Sequence, residues 1–184
     1  MPGTNYVPGS TCDSCTVSVT LPFSYAFYGV PYSQASISNK GVLQFVSNSP
    51  DGNNTCLPNP ALNNAIFAYW DDHNTNINDN MGIYTSVSGT APNRIFNIEW
   101  RSGYVANDVR SNFEVRLYEG QPKFDVIYGT TRRGFSSTIG VQKGTGERVT
   151  QYACNINNSV PNGTMITFDQ RVCSGTAGTQ PRKP

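Results

Sequence analysis

Apolar and polar side chains alternate residue by residue through most of this chain, and that period of two constrains the fold more than any other feature. The stretch NFEVRLYEG sets Phe113, Val115 and Leu117 on one face and Glu114, Arg116 and Tyr118 on the other. RIFNIEW repeats the pattern with Phe96, Ile98 and Trp100 against Asn97 and Glu99, and KFDVIYG sets Phe124, Val126 and Tyr128 against Asp125 and Ile127. Successive side chains of a strand point to opposite faces, so these are half-buried antiparallel strands with one face on a core and one in water. Turn residues separate them: SNKG at Ser38–Gly41, EGQP at Glu119–Pro122, and SGTAPN. Gly41 is free to take a positive φ in the first. Strands recur about every 10 to 15 residues, the rhythm of a sandwich. Lysine and glutamate are scarce, so no helix of any length is expected beyond a single turn in Asn59–Asn64. YVANDVR at 104–110 reads as a polar hairpin tip. The chain is therefore expected to be all-β, an antiparallel β-sandwich of jelly-roll type with roughly ten strands.

The 184 residues suffice for one domain with a substantial core. Both ends differ from the middle. MPGTNYVPGST and SGTAGTQPRKP are rich in Gly, Pro and Thr and have little to bury. The expected division is an extended N-terminal segment at 1–15, a sandwich at 16–173 and a tail at 174–184. With 13 basic and 12 acidic residues and no basic run, nucleic acid is not an expected partner. No apolar stretch approaches the roughly 20 residues of a membrane helix, so membrane insertion is not expected. The five cysteines, Cys12, Cys15, Cys56, Cys154 and Cys173, lack the second CxxC or paired histidines of a zinc site. They read as disulfides of a secreted, extracellular protein, with one thiol left over. Cys56 precedes one strand and Cys154 ends another, which makes them the first expected pair. Cys173 is then expected to pair with Cys12 or Cys15, stapling the two ends together. A local Cys12–Cys15 bridge, leaving Cys173 over, is the second arrangement.

The segments LPFSYAFYGVPYSQASISNKGVLQF, CLPNPALNNAIFAYWDD, GIYTSVSGTAPNRIFNIEW, FEVRLYEGQPKFDVIYG and QYACN resemble, in that order, a β-sandwich domain of bacterial secreted and cell-surface proteins related to NIDO-like extracellular domains. The resemblance spans about Val17 to Phe168 and rests on a FPFxFxFYG…SxNGxLxF…WDD pattern. It implies a secreted, disulfide-bonded, non-catalytic module of surface, adhesion or matrix proteins, and it supplies no ligand. Two departures stand out: Lys40 in the turn, and the asparagine-rich His73–Asn80 after the aspartates.

A catalytic triad would have to use His73, the chain's one histidine, and no GxSxG elbow accompanies it. No catalytic centre is expected. In WDDHNTNINDN, Asp71, Asp72, Asn74, Asn76, Asn78 and Asp79 could converge on calcium, though the loop lacks the glycine and bidentate glutamate of an EF-hand. The alternative, favoured by a WDD shared with relatives whose next loop differs, is that Asp71 and Asp72 cap the end of a core strand by accepting turn amides. No cofactor is expected except calcium. Sequons at Asn53, Asn157 and Asn162 mark exposed loops. The function expected is a structural subunit of an extracellular filament or surface assembly. It would polymerise with its own copies by adding its N-terminal strand, Tyr6 and Val7 foremost, to a neighbour's sheet. The alternative is an adhesion module binding carbohydrate or calcium within a larger surface protein.

Overall fold

The computed structural model describes residues 3–104, 109–132 and 134–170. The expected C-terminal tail, Cys173 and most of the expected tip at 104–110 lie outside them. Among the described residues there is no helix, and twelve strands follow one another. They are β1 (Asn5–Tyr6), β2 (Thr16–Phe27), β3 (Val30–Ser38), β4 (Val42–Gln44), β5 (Ala65–Trp70) and β6 (Gly82–Ser88), then β7 (Ile95–Tyr104), β8 (Val109–Tyr118), β9 (Lys123–Thr130), β10 (Thr138–Lys143), β11 (Arg148–Cys154) and β12 (Met165–Asp169). Two six-stranded antiparallel sheets result, one ordered β1-β6-β7-β8-β9-β12 and the other β11-β10-β5-β4-β3-β2. Each carries a four-stranded meander, β6 to β9 in the first sheet and β2 to β5 in the second, so most neighbours in space are neighbours in sequence.

The two inner faces meet in one core. Phe96, Ile98, Trp100, Phe113, Val115 and Leu117 of the first sheet are all buried there, as the alternation requires. Ile37, Leu43 and Ile66 answer them from the second. Aromatic residues with a polar end cross the layer and find backbone acceptors. Trp100 Nε1 donates to Ser38 O at 2.8 Å, Tyr128 Oη to Ala68 O at 2.6 Å, and Tyr25 Oη to Lys123 O at 3.0 Å. Such side chains bury a large apolar body only when their donor is satisfied, so these bonds fix how the sheets sit on one another.

The second sheet is covered on its outer face as well. A smaller cluster of Val42, Leu62, Ala65, Phe67 and Trp70, with Leu57 against it, lies beneath the segment that joins β4 to β5. Trp70 Nε1 donates to Asp51 O at 2.7 Å, and Gln142 Nε2 reaches Asn59 O and Leu62 O at 2.8 and 2.7 Å. Cys56 in that segment is disulfide-bonded to Cys154 at the end of β11. AIFAYW thus reads as an unbroken apolar run because β5 is buried on both faces.

Candidate functional site

The chemistry-bearing residues gather where β5 leaves the sheet. Phe67 stands opposite Gly140 and Trp70 opposite Thr138, three residues against two, so β5 holds one extra residue. The amides of Ala68 and Tyr69 both donate to Gly41 O, at 3.1 and 3.3 Å, which marks a β-bulge. Gly41 has φ 83°, and a Cβ there would lie 2.3 Å from Tyr69 O, so only glycine fits the turn at this bulge. The extra residue reverses the alternation: Trp70 faces the covering segment, while Tyr69 turns into the core and accepts the amides of Arg132 and Gly134 at 3.1 Å each. Asp71 then points inward and Asp72 outward.

Asp71 is buried. Its Oδ2 accepts from Tyr104 Oη at 2.7 Å and Ser136 Oγ at 2.6 Å, and its Oδ1 accepts the Asp72 amide at 2.8 Å. Burial chiefly, with Tyr69 and Asp71 beside it, holds the Tyr104 phenol well above its ordinary range. Asp71 therefore caps the corner and ties β7 and the segment before β10 to it. Asp72 does otherwise. Its carboxylate is exposed and takes no turn amide; Oδ1 lies 2.6 Å from Nζ of Lys40, whose side chain is 4% exposed, with Asp13 Oδ1 at 3.5 Å from the same ammonium. Lys40, one of the two departures in the sequence, is thus the partner of the outward aspartate.

The six oxygen-bearing residues of the loop are parted. Asn74 Nδ2 donates to Asp13 Oδ1 at 2.8 Å, and its Oδ1 accepts the Asn76 amide at 2.6 Å. Asn76, Asn78 and Asp79 line a separate groove with Thr11 and Met81. Asp71 faces the core, Asp72 faces Lys40, Asn74 is buried against Asp13, and Asn76, Asn78 and Asp79 face solvent. Among the described residues no three acidic, histidine or cysteine side chains lie close enough to hold a metal ion.

His73 is fully buried among Tyr69, Tyr104 and Phe113. Nε2 lies 2.9 Å from Tyr69 O, which can only accept, so Nε2 carries the proton. Nδ1 is left to accept from Ser102 Oγ at 3.3 Å. Burial lowers the imidazole to about 4, with Asp71 opposing that shift. A serine beside a histidine has the outline of a nucleophile and its base. Yet Ser102 is itself buried, and the hydrogen bonds of Asp71 go to Tyr104, Ser136 and an amide. The pair satisfies two polar groups inside the core.

The N-terminal segment forms a strap across the same end. Asn5 and Tyr6 pair with Thr85 and Tyr84 of β6, the Val7 amide donates to Ile83 O at 2.9 Å, and the Tyr6 ring meets that of Tyr84 edge-on. Buried Ser10 accepts the Ile83 amide at 2.8 Å, and Thr75 Oγ1 donates to Ser10 O at 2.6 Å. Asn39 closes the strap's far end, accepting the Cys15 amide at 3.0 Å and donating to Asp13 O at 2.8 Å. The strand expected to seek a neighbour's sheet is seated on its own. Its amides meet the open edge of β6, and partly buried Val7 packs on the core.

The expected staple from Cys173 to Cys12 or Cys15 is also corrected. Cys12 and Cys15 are bonded to each other, their Cα atoms 6.1 Å apart, because the strap turns between Asn39 and Thr75 and brings the two side chains together. Lys40, Ser102, Ser136 and Thr75 complete this end of the molecule. Sequence reading marked Lys40 only as a departure and passed over the other three, because single polar residues carry no pattern.

A sandwich stapled by disulfides, whose histidine and inward carboxylate are both engaged in packing, has the build of an extracellular structural or binding module. The family comparison agrees: the NIDO-related family model matches residues 1–180, and the chain belongs to that family. Domains of this kind are typically non-enzymatic, and with the disulfides the membership points to a secreted or extracellular protein. No curated protein and no solved structure matches the chain.

Proposed function

We propose that this protein is a structural subunit of an extracellular assembly, whose copies join by exchanging the N-terminal strap. The seat of the strap carries the reading. A two-residue strand closes the edge of a five-stranded sheet core, and its contacts to β6 are main-chain bonds that a second copy's strap would make equally well. Tyr6 and Val7 would set the register in either arrangement. A closed monomer and an exchanged polymer then differ only at the hinge, the condition under which strand exchange is a low-cost route to assembly.

Light scattering across protein concentration tests this, comparing the full chain with a Val7→Asp variant. The full chain should give concentration-dependent oligomers, and the charged side chain, unable to sit on the core, should reduce them. A full chain that stays monomeric at millimolar concentration, or oligomers indifferent to Val7→Asp, would refute the exchange.

A further inference from the structure

The asparagine-rich loop after the corner, which anchors the strap through Thr75, has a second feature. Its crest, Asp79–Met81, separates two grooves. One of about 330 Å³ runs along Thr11 and Asn76; the other, about 470 Å³, lies between the crest and the outer face of β7 and β8, where Glu99, Arg101, Arg110 and Asn112 stand. Asn80 turns the crest with φ 64°, a left-handed conformation that asparagine tolerates, and its carbonyl accepts from Tyr84 Oη at 3.3 Å.

The floor of the larger groove is fixed. Glu99 accepts from Asn112 Nδ2 at 2.6 Å, from Arg101 Nε and Nη2 at 3.1 Å each, and from the Gly3 amide at 3.0 Å. The Arg101 guanidinium carbon lies over the Tyr84 ring, 3.8 Å from its centre. The rim differs. Among the described residues neither Asp79 nor Arg110 has an ion-pair partner, and both are exposed. A rigid floor of planar polar groups beneath a guanidinium without an ion-pair partner among the described residues, with the exposed Asn80 amide beside it and Asn112 Oδ1 turned to accept, suits a ligand with many hydroxyls and a carboxylate. Side-chain amides and carboxylates pair with neighbouring hydroxyls, and arginine takes a carboxylate through two parallel bonds. One cation in this groove outside an ion pair among the described residues, on a chain of net charge +1, does not suit a run of phosphates. Met81 is the one apolar side chain among the residues that line it, which disfavours a lipid.

We propose that this groove binds an acidic polysaccharide, with a uronate carboxylate on Arg110 and sugar hydroxyls on Asp79, Asn80 and Asn112. The proposal does not require strap exchange, because Gly3 of the chain's own strap or of an exchanged one would hold Glu99 and Arg101 alike. Calorimetric titration with oligogalacturonate tests it, with the fully methyl-esterified oligomer as the uncharged counterpart. The intact chain should bind the acid form saturably and the ester about tenfold to a hundredfold more weakly, the range expected for loss of hydrogen bonds to a charged group. Arg110→Ala should weaken binding of the acid by a similar factor, with the circular dichroism spectrum unchanged. Arg148→Ala, at an exposed arginine on the other sheet, should leave it unchanged. Absence of binding, equal binding of acid and ester, or equal weakening by both substitutions would each overturn the proposal.

Discussion

Asp71 and Asp72 are adjacent and chemically identical, yet one is a buried acceptor and the other an exposed ion-pair partner. The difference is made by a single extra residue in β5, which sends neighbouring side chains to faces that strict alternation would not assign. His73 follows them into the core, and its environment has a measurable consequence. A histidine buried neutral, its imidazole lowered to about 4 from an ordinary value near 6.5, binds a proton more readily in the unfolded chain. Between these values unfolding takes up a proton, so stability falls as pH falls. The contribution is complete above about pH 6.5 and is lost on descent to about 4, on the order of 3 kcal/mol. Chemical denaturation at a series of pH values should show this loss. The imidazole resonances of His73 should stay those of the neutral ring from pH 8 to pH 5; a midpoint near 6.5 would show that the ring is solvated.

At the scale of elements, the strands β7, β8 and β9 are legible in the sequence because each alternates polar and apolar residues, although the polar face expected in water is covered: Asn97, Glu99, Glu114 and Asp125 are buried. β5 is legible as a strand and illegible in its detail: an all-apolar run carries no alternation for a bulge to break, so neither the inward turn of Asp71 nor the role of Gly41 shows. The segment over the outer face of the second sheet is equally hidden, since Leu57 and Leu62 are too sparse to form a pattern. Cys56 and Cys154 could be paired from their places beside strands, whereas the choice between a local Cys12–Cys15 bridge, which forms, and a bond to Cys173 could not be made, because it depends on where the strap turns. The two bridges should differ in weight. Cys56–Cys154 closes a separation of 98 residues and Cys12–Cys15 one of 3. Loop-closure entropy then gives about 4–5 kcal/mol for the long bridge and about 2 kcal/mol for the short one. Equilibrium urea denaturation of Cys56→Ala/Cys154→Ala and Cys12→Ala/Cys15→Ala double variants should rank them in that order. A larger loss from the short pair would mean that the strap's staple supports the whole sandwich.

For the whole molecule, the decisive question is what keeps the strap at home. The turn Val7-Pro8-Gly9-Ser10 folds it back: the Ser10 amide and Oγ both donate to Val7 O, at 3.2 and 2.7 Å, and Gly9 sits at φ 82°. Proline second and glycine third is the pattern of a type II turn, in which the third position requires a positive φ. Beyond Gly9 the chain is anchored by Ser10, Thr75 and the Cys12–Cys15 bond, so the hinge for any exchange lies here. A Cβ on Gly9 would meet only Val17, at 3.9 Å, an ordinary van der Waals contact. Its penalty would be backbone strain, about 1–3 kcal/mol, and it would fall on the closed monomer alone, because an opened hinge can extend. Gly9→Val should therefore shift the balance from closed monomer to exchanged polymer by about fivefold or more, since 1 kcal/mol already corresponds to that factor. Sedimentation velocity on both proteins, refolded side by side at the same concentration, reads the shift directly. With more polymer in the variant and each protein equally folded, the hinge at Gly9 governs assembly; with equal monomer fractions, the strap is a fixed part of a single-chain fold and assembly, if it occurs, uses another surface.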